Sequence, residues 1–86
     1  MTQRLDGNAA AGPLTEIFGA DVSDAKVRCR HCGADGPVAE TVVELDADGL
    51  LMLCRPCGRL MFGYVWSGPR RSLRFPGLAE LSLPTP

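Results

Sequence analysis

The chain has 86 residues, 45% of them hydrophobic and 22% charged, with a formal net charge of −1. That length supports one small domain with a thin core. So low a net charge argues against a protein whose main task is to hold polyanions non-specifically, and no apolar run approaches the roughly 20 residues of a membrane span. The charge is uneven, however: residues 1–50 carry nine acids and four bases, whereas residues 51–86 carry five arginines and one glutamate.

The opening Met1-Thr2-Gln3-Arg4 leads into polar residues rather than an apolar h-region, so no signal peptide is expected and the cytoplasm is the expected compartment. Residues 6–19 read as helical. Asp6 or Asn8 is the N-cap, Ala9 to Ala11 are strong helix formers, and Gly19 is the stop. Ala10, Leu14, Ile17 and Phe18 share one face at i, i+4, i+7 and i+8. Gly12-Pro13 conflicts with this, because proline removes a backbone donor and disfavours α-conformation in the residue before it. The helix is therefore either kinked or shortened to 13–18 with Pro13 first, and the shorter form is preferred here. Its apolar face is expected to cap the core, the alternative being a docking helix for another protein.

Residues 1–25 thus read as an N-terminal helical segment and acidic linker, 26–83 as a β-rich domain, and 84–86 as a frayed tail. Lys26-Val27-Arg28 is expected as a short strand, and Ala34-Asp35-Gly36-Pro37 as a turn. Val38 to Leu45 is β-branched, with Ala39, Thr41, Val43 and Leu45 expected inward. Asp46-Ala47-Asp48-Gly49 reads as a hairpin loop and Leu50 to Leu53 as the returning strand. Arg59 to Trp66 and Arg70 to Phe75 read as strands about a Ser67-Gly68-Pro69 turn, and the tail Pro76 to Leu83 as adding a short edge strand. Leu60, Phe62, Tyr64 and Trp66 share a parity, and Leu73 and Phe75 are expected to cover them.

The chemistry lies in two matching units, Cys29-Arg30-His31-Cys32-Gly33 and Cys54-Arg55-Pro56-Cys57-Gly58. Two cysteines three apart on a tight turn aim both sulfurs at one point, and the following glycine admits a left-handed backbone that turns N–H groups toward the thiolates. Zn²⁺ takes four such ligands tetrahedrally, so Cys29, Cys32, Cys54 and Cys57 are expected to hold one structural zinc ion. The paired units resemble the knuckles of the zinc-ribbon superfamily over roughly residues 26–75. That resemblance implies a small antiparallel zinc-ribbon sheet, and with the N-terminal helix packed on it the expected fold is α+β, mostly β. Rubredoxin-type iron centres use similar knuckles, and iron stays an alternative. Two disulfides would require an oxidising compartment, and a redox pair would require a βαβ context that is not apparent. His31 adjoins Cys32 and would break the ligand spacing, so it is read as an exposed knuckle residue.

A closed four-thiolate site keeps no open position for metal-bound water, and no triad, phosphate loop or carboxylate pair is recognisable. The chain is therefore not expected to be an enzyme. Arg30, Arg55 and Arg59 flank the cysteines and would offset the negative charge of a metal–thiolate centre. Arg70, Arg71 and Arg74, with Tyr64 and Trp66 near in sequence, suggest a basic aromatic surface for nucleic acid or simply a solvated hairpin. A second resemblance spans nearly the whole chain: Leu5-Asp6-Gly7-Asn8-Ala9-Ala10-Ala11-Gly12-Pro13-Leu14-Thr15-Glu16-Ile17-Phe18-Gly19 followed by the two knuckles is similar to a family of short bacterial proteins with no assigned activity. The expected function is a non-enzymatic interaction or regulatory module with a protein partner. A nucleic-acid-binding ribbon using Arg70, Arg71 and Arg74 and a zinc or redox sensor are the alternatives.

Overall fold

A computed structural model describes residues 2–19, 22 and 24–84. It contains β1 (Gln3–Asp6), a 3₁₀ turn (Gly7–Ala10), α1 (Ala11–Phe18), β2 (Lys26–Cys29), β3 (Asp35–Pro37), a second 3₁₀ turn (Val38–Glu40), β4 (Val42–Leu45), β5 (Gly49–Leu53), β6 (Leu60–Val65), β7 (Ser72–Arg74) and β8 (Leu78–Ser82). The strands form two antiparallel sheets, a five-stranded one in the order β1-β4-β5-β6-β7 and a three-stranded one in the order β3-β2-β8. The class is α+β, mostly β.

The N-terminal segment differs from the preferred reading. The helical run starts at Gly7, not Pro13, as a 3₁₀ turn that passes into α1. Asp6 caps it, its Oδ1 accepting the Asn8 N–H at 3.1 Å, and Gly19 ends it at φ 67° with its N–H bonded to the Thr15 carbonyl. Pro13 falls in the first turn of α1, as its third residue, where proline is tolerated. Before the helix, residues 3–6 form an unexpected edge strand paired with β4, from Gln3↔Leu45 to Asp6↔Val42. All four β1 residues are exposed, so β1 carries no burial alternation by which sequence could reveal it.

One face of the five-stranded sheet is the core face, where Val43, Leu50, Met52, Phe62 and Tyr64 are all buried. Above it lie α1, through Leu14, Ile17 and Phe18, and the small sheet, through Val27, Leu78 and Leu81. The helix face caps the core: Leu14 is 2% exposed. The acidic linker also contributes, since Val22 and Ala25 are fully buried; residues 20, 21 and 23 of that linker, and residues 85 and 86 of the tail, lie outside the described residues.

Two expected strand patterns are shifted. Asp35–Pro37, expected as a turn, pairs with β2, and Val38–Glu40, expected as strand, is a 3₁₀ turn. That turn breaks the alternation, so Val38 and Val42 are buried along with Thr41 and Val43, while Ala39 and Leu45 are only half-buried. The register shift between Met52 and Leu53 lets β6 bury Met61 beside Phe62 and Tyr64, leaving Leu60 and Trp66 half-buried. Phe75 lies against Phe62, ring centroids 5.3 Å apart, but stays 50% exposed.

Candidate metal centre

The two Cys-x-x-Cys-Gly units fold into the same turn twice. In the first, the Gly33 N–H donates to the Cys29 carbonyl at 3.0 Å and the Cys29 N–H to the Ala34 carbonyl at 2.8 Å; in the second, Gly58 donates to Cys54 at 2.7 Å and Cys54 to Arg59 at 2.9 Å. Gly33 and Gly58 have φ of 77° and 75°, the left-handed conformation that closes each turn at little cost only without a Cβ. One turn ends β2, the other links β5 to β6, and the β4–β5 hairpin between them brings the two together.

The four sulfurs converge. Cys29 Sγ lies 3.8 Å from Cys57 Sγ, Cys32 Sγ lies 3.5 Å from Cys54 Sγ, and all four fall within 4.8 Å of one another. Tetrahedral ligation with metal–sulfur bonds near 2.3 Å requires sulfurs ~3.8 Å apart. The observed spacing is far beyond the ~2.05 Å of a disulfide, and the cysteines are free thiols. Cys29 and Cys54 are buried, whereas Cys32 and Cys57 face solvent.

Local fields at the buried pair differ. At Cys29 burial raises the thiol pKa, but the backbone N–H groups of Cys32 and His31, with the Cys54 and Cys57 side chains, outweigh it and lower the value from 9.0 to about 7. At Cys54 burial dominates; with one N–H from Cys57 opposing it and the Cys32, Cys57 and Cys29 side chains adding to it, the thiol is pushed up to about 12. In the metal-free cluster Cys54 therefore keeps its proton after Cys29 has lost its own, and a bound cation displaces what remains.

The surrounding residues brace the knuckles. Arg55 Nε donates to the Glu40 carbonyl at 2.8 Å and its Nη2 to the Thr41 carbonyl at 3.4 Å, tying the second knuckle to the start of β4. Arg59 Nη1 lies 3.3 Å from His31 Nδ1, joining knuckle to knuckle. His31 is exposed and stands outside the sulfur cluster, as its spacing implied. Sequence reasoning missed Gly77: its N–H donates to the Met61 carbonyl, its carbonyl accepts from the Arg30 N–H, and a Cβ there would fall 2.6 Å from His31 Nε2. The only local signal was the Pro76-Gly77 dipeptide. Arg70, Arg71 and Arg74 are exposed and distant in role from the cysteines, and Tyr64 and Trp66 do not join them: Tyr64 is buried, and Trp66 packs edge-on to it and donates Nε1–H to the Ala47 carbonyl.

Four clustered thiols on two facing turns within a mostly β, α+β fold define a small protein with a metal-type site, consistent with a zinc-binding module. The model of a family of unknown function, DUF6510, matches residues 1–86, and the chain belongs to that family. No curated protein and no solved structure matches it. Among the described residues no helix is long and apolar enough to cross a membrane.

Proposed function

We propose that this protein is a non-enzymatic zinc-ribbon module: Cys29, Cys32, Cys54 and Cys57 hold one structural Zn²⁺, and the folded surface around them binds another protein. The observation that carries this reading is the closure of the cluster. Four thiolates at tetrahedral spacing fill the coordination sphere, which leaves no position for substrate or an activated water. A d¹⁰ ion suits a site whose geometry is set by the protein, and four reduced thiols suit the cytoplasm. Because the helix spends its apolar face on the core, partner binding falls to the sheet surfaces.

Native mass spectrometry before and after a strong chelator, with circular dichroism alongside, tests the metal. One zinc lost together with the β-signal supports a structural ribbon. A bound iron replaces zinc in the reading, and a metal-free mass two or four protons light, meaning disulfides, overturns it. A second reading, nucleic-acid binding, is favoured by one observation: Arg70, Arg71 and Arg74 are exposed and have no ion-pair partner among the described residues. It requires binding that weakens steeply with salt.

A further inference from the structure

The five-stranded sheet ends in a basic open edge. Strand β7 has a neighbour, β6, on one side only. Arg74 lies in β7, the exposed Arg70 and Arg71 immediately precede it in the chain, and no acid occurs between Ser67 and Ala79. Across the sheet Arg74 faces Gly63, then Leu51, then Glu44. The nearest acid in that row is thus three strands away, about 14 Å at the usual strand spacing and beyond the ~8 Å screening length of physiological salt. The one ion pair among the described residues, Arg28–Glu80, lies in the other sheet.

The same edge is incompletely covered on its apolar side. Leu73 is opposite Tyr64 and Phe75 packs on Phe62, so both continue the core face. They remain 38% and 50% exposed. The edge therefore offers an unpaired backbone, apolar side chains toward the core face and an arginine on the opposite face, with two more arginines at its start.

We propose that β7 is a docking edge for an extended acidic segment of another protein. The segment adds as a sixth strand, its apolar residues covering Leu73 and Phe75 and its alternate carboxylates facing Arg70, Arg71 and Arg74. Backbone pairing supplies affinity and the alternating side chains supply specificity. The arginines also repel the same edge of a second copy, which blocks self-pairing and selects a partner of opposite charge. Phe75 is half-exposed, but Tyr64 is buried and the half-buried Trp66 is packed edge-on to Tyr64 and hydrogen-bonded to Ala47, so the rings do not form an open stacking row for nucleic acid. The inference rests on the module reading above and names its partner chemistry.

The experiment uses the full chain, with metal content established by mass spectrometry. Fluorescence anisotropy follows a short synthetic peptide alternating valine and glutamate, the same peptide with lysine for glutamate, the same peptide N-methylated at alternate amides, and a single-stranded oligothymidine. The expected result is binding of the first peptide alone, weakened about tenfold or more by the triple change Arg70→Glu, Arg71→Glu, Arg74→Glu, with amide shifts in nuclear magnetic resonance spectra centred on β6 and β7. Equal binding of the N-methylated peptide overturns strand addition, tighter binding of the oligonucleotide moves the site to nucleic acid, and absence of binding by the folded protein overturns the proposal. A metal-loaded, folded chain that ignores the peptide refutes this inference alone, whereas a chain that folds without metal refutes the metal reading and leaves the binding result interpretable.

Discussion

Replacing Leu14 with alanine separates the two roles open to an amphipathic helix. Leu14 is the one fully buried side chain of α1, 2% exposed, and it lines a small cavity together with Met52 and Phe62 of the large sheet and Val27, Leu78 and Leu81 of the small one. Leu14→Ala deletes three carbons from this junction of helix and two sheets, a transfer loss of ~2.4 kcal/mol at ~0.8 kcal/mol per carbon. The cavity left behind adds to that, because two sheets held in register by backbone ladders cannot collapse into it, and the total is about 3–5 kcal/mol. A domain of this size has a net stability of roughly 4–13 kcal/mol, so the change removes a large share and lowers Tm by at least ~12 °C. Ile17 is only half-buried, and Ile17→Ala costs less. Thermal unfolding followed by circular dichroism, at fixed excess zinc so that mass action is constant, measures both. A Leu14→Ala loss under about 1 kcal/mol, or a larger loss for Ile17→Ala, would refute the capping argument and return the helix to the list of docking surfaces.

Chelation should unfold the chain, since structural zinc contributes an apparent ~10–16 kcal/mol in small domains, comparable with or above the whole net stability; an apo-protein that keeps its β-signal and a cooperative transition contradicts this. Zinc uptake at neutral pH should release at least one proton, from Cys54, whose thiol is pushed up to about 12, and affinity should fall as pH drops through about 7, where Cys29 reprotonates and the metal must displace that proton as well. Calorimetry in buffers of different ionisation enthalpy reads that proton count, and a count of zero would be incompatible with it. Gly33→Ala and Gly58→Ala should each cost ~1–2 kcal/mol, from the left-handed backbone alone, since no atom lies within 4 Å of either Cβ position. Gly7→Ala should be far worse, because its Cβ would fall 1.6 Å from the Val38 carbonyl oxygen; denaturant unfolding ranks the three, and a Gly7→Ala as mild as the knuckle variants would mean the two 3₁₀ turns move apart freely.

What could be read from sequence was whatever the chain encodes locally. The cysteine cluster was legible because each knuckle is one turn, with both sulfurs, the left-handed glycine and the N–H donors within five residues. The helix caps were legible for the same reason, Asp6 and Gly19 each bonding within four residues of themselves. Pro13 misled because a residue's effect in a helix depends on its distance from the start, and the start was set by β1, whose own identity comes from pairing with β4 nearly forty residues later. Asp35–Pro37 reads as a turn on its own and becomes a strand through its pairing with β2.

The long-range braces obey the same logic and explain why this small core holds together. Arg55 reaches back to the Glu40 and Thr41 carbonyls, Arg59 to His31, and Gly77 to Met61 and Arg30, each joining a knuckle to a segment remote in sequence. An arginine beside a metal–thiolate cluster is expected on sequence grounds to offset charge, and nothing local distinguishes that from a guanidinium satisfying two carbonyls. The two uses differ in consequence. A charge-offsetting arginine can be exchanged for lysine at small cost, whereas a guanidinium spanning two acceptors cannot, because an ammonium does not reproduce its planar array of donors. Arg55 therefore links the cysteine cluster to the segment that leads into β4, and loosening it allows the second knuckle to shift relative to the hairpin that positions its sulfurs.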